Sequence, residues 1–258
     1  MRLDAHLVSS GLLSSRHRAK HAIRSGMVKV AGKVVRQPAH EVRGQEAVEV
    51  TPEADKPLGY WKLGQIDEAT GLFDGVSSVL DLGSSGGGFL LYAAERCPKV
   101  VGIELSREFE AAIERVREEQ PHVEVVWGNA FEVKAEGTYD LLLNDLTLEI
   151  GVSLEAAARF VENLAPGGKV LQVVKWDRLK YREEALIRAR AWLVQRGFAT
   201  APSMDLGKRE TYLVGRRAAS NAASSEVSGP SHRTAGPGSP TSSQVRMSRS
   251  SGDRSARS

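Results

Sequence analysis

Cysteine is almost absent from this chain. Only Cys97 is present among 258 residues, which excludes an intramolecular disulfide and a cysteine-based zinc site. Long apolar runs are missing too: none approaches the roughly 18 residues that a membrane-spanning helix requires. Behind Met1-Arg2-Leu3-Asp4-Ala5-His6 there is no apolar stretch of the signal-peptide kind. The cytoplasm is therefore the expected location, and no metal is expected. The hydrophobic fraction of 41% and the charged fraction of 26% are ordinary for a soluble protein. A length of 258 residues fits one large or two small domains.

The small net charge of +3 conceals a division. Residues 1–50 hold nine Lys/Arg against four Asp/Glu, and residues 218–258 hold five against two. The body between them, 51–217, holds 21 against 26 and is acidic. A basic head on an acidic body implies that the head attracts a polyanion and the body has a different task.

The chain is organised around Leu80-Asp81-Leu82-Gly83-Ser84-Ser85-Gly86-Gly87-Gly88-Phe89. An apolar run, Val79 to Leu82, enters a glycine-rich turn, and a helix-compatible stretch follows. Glycines at such a strand–helix turn let backbone approach a ligand closely, and the helix start offers unpaired N–H groups. No Lys-Ser/Thr pair follows the glycines, which excludes a P-loop, and their clustering departs from G-x-G-x-x-G. Beyond the turn, strands are expected at 99–104, 123–127, 139–145, 169–175 and 211–214, with helices at 88–96, 107–118, 154–164 and 181–196. Such alternation implies βαβ units and a buried parallel sheet, whose ligands sit beyond the carboxyl ends of the strands. Gly83, Glu104, Asn129, Asp145 and Lys175 all fall at those ends. A helix starts near Gly59, with Trp61 read as core, and Cys97 reads as packing.

Residues 1–50 read as a compact unit of two helices and a small sheet. Ser14 or Ser15 caps the second helix, which stops at Gly26. Arg16, Lys20 and Arg24 recur every four residues along that helix. Residues 51–58 read as a linker, 59–217 as the α/β body and 218–258 as a disordered Ser/Arg-rich tail, which lacks apolar residues to offset chain entropy.

Arg2-Leu3-Asp4, Leu7, Gly11-Leu12, Ser15-Arg16, Ala19, Ile23, Gly26, Val28-Lys29-Val30, Gly32 and Pro38 together resemble the S4 RNA-binding domain. That resemblance implies RNA contacts from Arg2, Arg16, Arg18, Lys20, Arg24, Lys29 and Lys33. The glycine cluster, with Glu104 and Gly128-Asn129-Ala130, resembles the S-adenosylmethionine site of class I methyltransferases. It implies a Rossmann-like α/β fold and cofactor contacts from Asp81, Gly83, Ser84, Ser85, Gly86, Gly87, Gly88, Phe89, Glu104, Asn129, Ala130 and Asp145. Lys62 in Tyr60-Trp61-Lys62-Leu63, Asp145 after Asn144, Lys175 after Gly167-Gly168, and Glu210 before Thr211-Tyr212-Leu213-Val214 resemble, in order, the Lys-Asp-Lys-Glu tetrad of FtsJ/RrmJ-type RNA ribose 2′-O-methyltransferases. An S4 head on such a body is similar to the TlyA (haemolysin A) type of ribosomal RNA 2′-O-methyltransferase. Asp145 is followed by Leu146-Thr147-Leu148 rather than a proline turn, and the TlyA-type Ser-Arg-Gly-Gly stretch is missing, so the target nucleotide stays open.

The implied chemistry is physically sound. A ribose hydroxyl is a weak nucleophile until its proton is removed, and a lysine accepts that proton only when neutral. Two ammonium groups ~6 Å apart at an effective dielectric of ~20 repel by roughly 2–3 kcal/mol, about two pKa units. Lys175 is then expected as the base or hydroxyl-orienting group, Lys62 and Asp145 as its tuners, and Glu210 as the orienter of a lysine or the ribose. Two alternatives remain: an RNA base methyltransferase, although an Asn/Asp-Pro-Pro-aromatic motif is lacking after Asn144, and a non-catalytic RNA-binding or ribosome assembly protein.

Overall fold

The computed structural model describes residues 1–176, 179–207 and 209–217. The tail expected to be disordered, 218–258, lies outside the described residues. Among those described, no helix is long and apolar enough to cross a membrane.

The N-terminal part packs helices α1 (Leu3–Ser9) and α2 (Arg16–Arg24) on an antiparallel sheet ordered β2 (Lys33–Val34), β1 (Val28–Val30), β3 (Val48–Val50). Leu3, Leu7, Ala19, Ile23, Val28 and Val30 form its core. Ser15 caps α2 by accepting the Arg18 N–H at 3.2 Å, and the chain leaves through Gly26 at φ +77°, where a glycine carries no Cβ penalty. Asp4 is fully buried and held by Arg2 at 3.0 Å and Arg16 at 2.9 Å. The hydrogen bond from Arg2 leads in holding its carboxyl down to about 2, against burial. The expected linker is packed. Pro52–Asp55 forms a 3-10 turn, Ala54 joins the N-terminal core, and Asp55 accepts from the backbone and hydroxyl of Ser14 at 2.9 Å each.

The body begins with α3 (Leu58–Thr70) and continues through β4 (Ser78–Leu82), α4 (Gly88–Ala94), β5 (Lys99–Glu104), α5 (Glu110–Glu119), β6 (Val123–Trp127), β7 (Tyr139–Asn144), α6 (Ile150–Ala158), β8 (Leu164–Lys175), α7 (Leu179–Gln195), β9 (Phe198–Thr200), β10 (Met204–Gly207) and β11 (Glu210–Arg217). The sheet order is β10-β11-β8-β7-β4-β5-β6, with β9 also on β11. Strands β8, β7, β4, β5 and β6 are mutually parallel, and β11 runs antiparallel to β8. This is a mixed α/β sheet of the Rossmann-like kind. Alternation decides the layers. Val79, Leu141, Leu143 and Leu171 face Leu63, Ile66, Leu90 and Ile113, whereas Leu80, Leu142 and Val170 face Leu154, Ala157, Leu186 and Leu193. Strand order reverses at β4, with β5 on one side and β7 on the other, and a ligand crevice opens at such a switch point.

Three local expectations differ from the structure. The helix expected at 154–164 ends at Ala158, because β8 starts at Leu164 and runs through Pro166-Gly167-Gly168 with a register shift against β7. Strands β9 and β10 were not expected; they are three and four residues long, too short for a periodic signal. Trp61 is not core. It is half-buried and lies against His21 of α2, with ring centroids 5.8 Å apart.

Candidate active site

The turn after β4 reaches the crevice because it cannot do otherwise. Gly83 at φ +83° and Gly87 at φ +76° are left-handed positions. A Cβ on Gly88 would lie 2.7 Å from the Gly59 Cα, so α4 and α3 touch backbone to backbone. A Cβ on Gly86, by contrast, meets nothing within 4 Å, because Gly86 faces open space. The turn lines a cleft of about 390 Å³ through Gly83, Ser84, Ser85, Gly86, Gly88 and Phe89, and Lys62 and Asp145 line it as well. Ser15, His17 and Arg18 of the N-terminal part line the same cleft.

Two acids are buried near the turn. Asp81 is fully buried, and neither carboxylate oxygen has a hydrogen-bond partner among the described residues. Burial pushes its carboxyl up to about 8; the neighbouring Ser84 hydroxyl opposes this, and the charges of Asp145 and Glu104 add to it. The Ser84 hydroxyl is likewise buried and lacks an aligned partner among the described residues. Glu104 is buried and ties the turn to the end of β5, accepting from the Ser85 N–H at 2.8 Å and the Ser106 N–H at 2.7 Å. Asn129 uses its side chain locally, accepting from the Phe131 N–H at 3.1 Å and donating to Glu132 at 3.3 Å. Of the residues expected to contact the donor, Asp81, Gly87, Glu104, Asn129 and Ala130 do not line the cleft.

The four residues singled out from distant segments converge here. Lys62 donates to Glu210 at 2.5 Å. Lys175 lies 2.9 Å from the Asp145 carboxylate and donates to the Asp145 carbonyl and the Thr147 hydroxyl, each at 2.9 Å. Each lysine thus has its own carboxylate, in place of one aspartate shared between the two. Burial raises the Asp145 carboxyl above its ordinary value, Lys175 opposing and Glu210 adding. Burial acts upward on Glu210 as well, but hydrogen bonds from Lys62 and Tyr212 outweigh it and hold that carboxyl low. Tyr212 donates to Glu210 at 2.6 Å. Tyr212 and Thr147 were not anticipated. Tyr212 had a legible signal, since it stands two residues from Glu210 on one strand and so shares its face.

The basic residues of the N-terminal part divide into two sets. Arg2, Arg16 and Arg18 hold acids, the first two Asp4 and the third Asp55. Arg24, Lys29 and Lys33 are exposed, and Lys20 is half-buried.

Residues 1–48 match the S4 domain, and residues 59–174 match the FtsJ-like methyltransferase family. The chain joins an S4 domain to an FtsJ-like methyltransferase domain. A protein of Aquifex aeolicus (strain VF5) described as an uncharacterized RNA pseudouridine synthase is 51% identical over 57 residues, which is 22% of this chain and 24% of that protein. The fibrillarin pre-rRNA processing protein of Methanococcus jannaschii shares 18% identity at a TM-score of 0.52, over 69% of this chain and 81% of its own. A putative O-methyltransferase of Nostoc punctiforme PCC 73102 shares 20% at 0.50, over 64% and 58%. At these identities the likeness to the solved structures is one of fold. The glycine turn, Lys62 and Asp145 lie in the methyltransferase match, whereas Lys175, one residue past its end, and Glu210 lie outside it.

Proposed function

We propose that this protein is an S-adenosylmethionine-dependent RNA methyltransferase that modifies a ribose 2′-hydroxyl, with ribosomal RNA as the substrate. The observation that carries the reading is the convergence of Lys62, Asp145, Lys175 and Glu210 at the mouth of the glycine-turn cleft. Negative charge at and near the cleft suits a positively charged donor: Asp145 lines it, and the buried Asp81, whose acceptors lack partners among the described residues, and Glu104 lie close to Asp145. Gly86 leaves room for a ligand against backbone.

When bound, S-adenosylmethionine supplies an electrophilic sulfonium methyl. Asp81, Ser84 and the turn at 83–88 would hold that donor, with Phe89 beside it. The chain's own residues must bring the hydroxyl in line and handle its proton. Lys175 is fixed by three oxygens of the loop after β7, so its amine is aimed rather than free to wander. As an ammonium it orients the hydroxyl; it takes up the hydroxyl proton only after passing its own to Asp145, whose carboxyl burial raises, as the bond to the methyl forms and the methyl–sulfur bond breaks. Asp145 holds Lys175, and Glu210 holds Lys62, where an ammonium steadies charge developing on the attacking oxygen. Positioning supplies much of the acceleration, for which roughly 7–11 kcal/mol is available in favourable cases. The exposed Arg24, Lys29 and Lys33 contact phosphates, which fixes register without reading sequence.

Ribosomal RNA incubated with the protein and a methyl-labelled donor, then digested to nucleosides, tests this directly. Label on ribose is expected. Label on a base selects the base-methyltransferase alternative, and donor binding without transfer to any RNA rejects the proposal. Lys175→Ala is expected to lose about 10²–10⁴-fold in transfer while donor affinity by calorimetry is retained.

A further inference from the structure

The Lys175–Asp145 ion pair is a wall between two clefts. Asp145 lines the glycine-turn cleft, and Lys175 lines a second one of about 800 Å³. The loop Thr147–Ile150 forms one side of the second cleft; Trp176 at the end of β8, with Tyr181 and Ala185 of α7, forms the other. Glu149 and Arg188, 3.1 Å apart, close one part of the rim. Its walls thus offer aromatic and aliphatic surface with polar groups at the edge, the usual make-up of a site for a flat, partly polar molecule. Trp176 is held at both ends: its backbone N–H donates to the Arg209 carbonyl at 3.1 Å and its indole N–H donates to Thr211 at 3.4 Å. Trp176 is half-buried and lines the cleft beside the proposed base. Leu148 lines the same cleft and is 38% exposed.

We infer that the second cleft receives the nucleobase of the nucleotide being modified, stacked on Trp176 and bounded by Leu148, while the ribose of that nucleotide meets Lys175. The inference rests on the ribose-methylation reading and narrows its substrate. A base can enter the cleft only when it is free of its helical stack, so the target is an unpaired nucleotide in a loop, bulge or opened pair. Stacking on an aromatic side chain tolerates any base, so selection among bases falls to the Thr147 hydroxyl and the Glu149–Arg188 edge.

Trp176→Ala, Trp176→Phe and Leu148→Asp in the full chain test this, with ribosomal RNA as substrate and S-adenosylhomocysteine as the calorimetric probe of the donor cleft. Trp176→Ala is expected to lower kcat/KM for RNA about 5- to 150-fold, the range of one base-stacking contact. Trp176→Phe is expected to restore it to within about threefold, since a phenyl ring keeps a stacking face. Leu148→Asp, at an exposed position where the fold tolerates a charge, is expected to lose at least about fivefold, because a carboxylate at the cleft edge must be desolvated. S-adenosylhomocysteine affinity should stay within about twofold in all three. Trp176→Ala at wild-type rates, or Phe no better than Ala in a folded protein, overturns the inference. So does Leu148→Asp at wild-type rates, which decides the matter if Trp176→Ala fails to fold. A wild-type protein that methylates bases or proteins but no ribose overturns the parent reading instead, and this one with it.

Discussion

Lys62 and Glu210 are 148 residues apart in sequence and 2.5 Å apart in space. The register of the sheet makes the pairing informative. Glu210 is the direct cross-strand partner of Lys175, yet its carboxylate goes to Lys62. Lys175 turns instead to Asp145. The cleft mouth therefore holds two ion pairs side by side, one spanning α3 and β11, the other joining the loop after β7 to the end of β8.

Because Tyr212 and Lys62 donate to the same Glu210 oxygen, the two interactions can be separated by mutation. Glu210→Gln keeps the shape and removes the charge, leaving the one-third-exposed Lys62 without its carboxylate. Transfer should fall roughly 10- to 100-fold through misplacement of the amine. Tyr212→Phe removes one hydrogen bond and should cost about 1 kcal/mol of stability with a smaller loss of rate. Donor affinity should be unchanged in both. Single-turnover methylation, paired with denaturant unfolding, distinguishes the two.

Asp81 should make donor binding depend on pH. Its carboxyl is raised to about 8, so at pH 6 the free protein holds a proton that a cationic donor must displace. Donor affinity should climb by up to about tenfold per pH unit below 8 and level off above it. The stability of the free protein should run the other way. A raised acid contributes fully below its unfolded value near 4, and the contribution is lost as pH rises toward 8. Asp81→Asn should flatten both dependences. Calorimetry with S-adenosylmethionine in buffers of different ionisation enthalpy, and urea unfolding from pH 5 to 9, read them out.

Two glycines of one turn should fail in different ways. Gly88→Ala drives a methyl to 2.7 Å from the Gly59 Cα and the Tyr60 nitrogen, both backbone atoms that cannot swing aside. It should destabilise the protein by about 1–3 kcal/mol and shift α3, which carries Lys62. Gly86→Ala meets nothing and should leave the unfolding free energy within about 0.5 kcal/mol of wild type. Gly86 lines the donor cleft, so donor affinity should drop instead. Thermal unfolding and donor titration on the same two variants separate fold from ligand space.

Much of this architecture was legible because the parallel strands are apolar runs that end in marked residues. Val79–Leu82 stops at a glycine cluster, and Leu141–Leu143 stops at Asn144-Asp145. What escaped the sequence is whatever depends on tertiary register. No spacing rule decides which carboxylate each lysine chooses, because that depends on β11 lying antiparallel to β8 and α3 crossing above. Trp61 reads as core from its neighbours Tyr60 and Leu63, but the face it presents is covered by His21 of another domain. Asn144 shows the same limit. It precedes Asp145, and its amide is buried and donates to Gln172 at 2.7 Å and to Ser153 at 3.0 Å, which locks the β7 end to β8 and α6.

The S4 domain offers a final separation of roles. Arg16 resembles a phosphate ligand by its place in the helical stripe with Lys20 and Arg24, but its guanidinium is 2.9 Å from the buried Asp4. Arg16→Gln should therefore lower stability, since Asp4 loses one of its two cations in a site without solvent. The deficit should narrow as pH falls toward 2, where Asp4, held at about 2, takes up a proton. Arg24→Gln and Lys29→Gln remove exposed charges and should leave the unfolding free energy within about 0.5 kcal/mol of wild type. They should instead weaken RNA binding and make the slope of log affinity against log salt shallower by about 0.7–0.9 for each phosphate that is no longer neutralised. A salt series of RNA titrations beside an unfolding curve for each variant decides which arginines grip the nucleic acid and which only hold the domain that does.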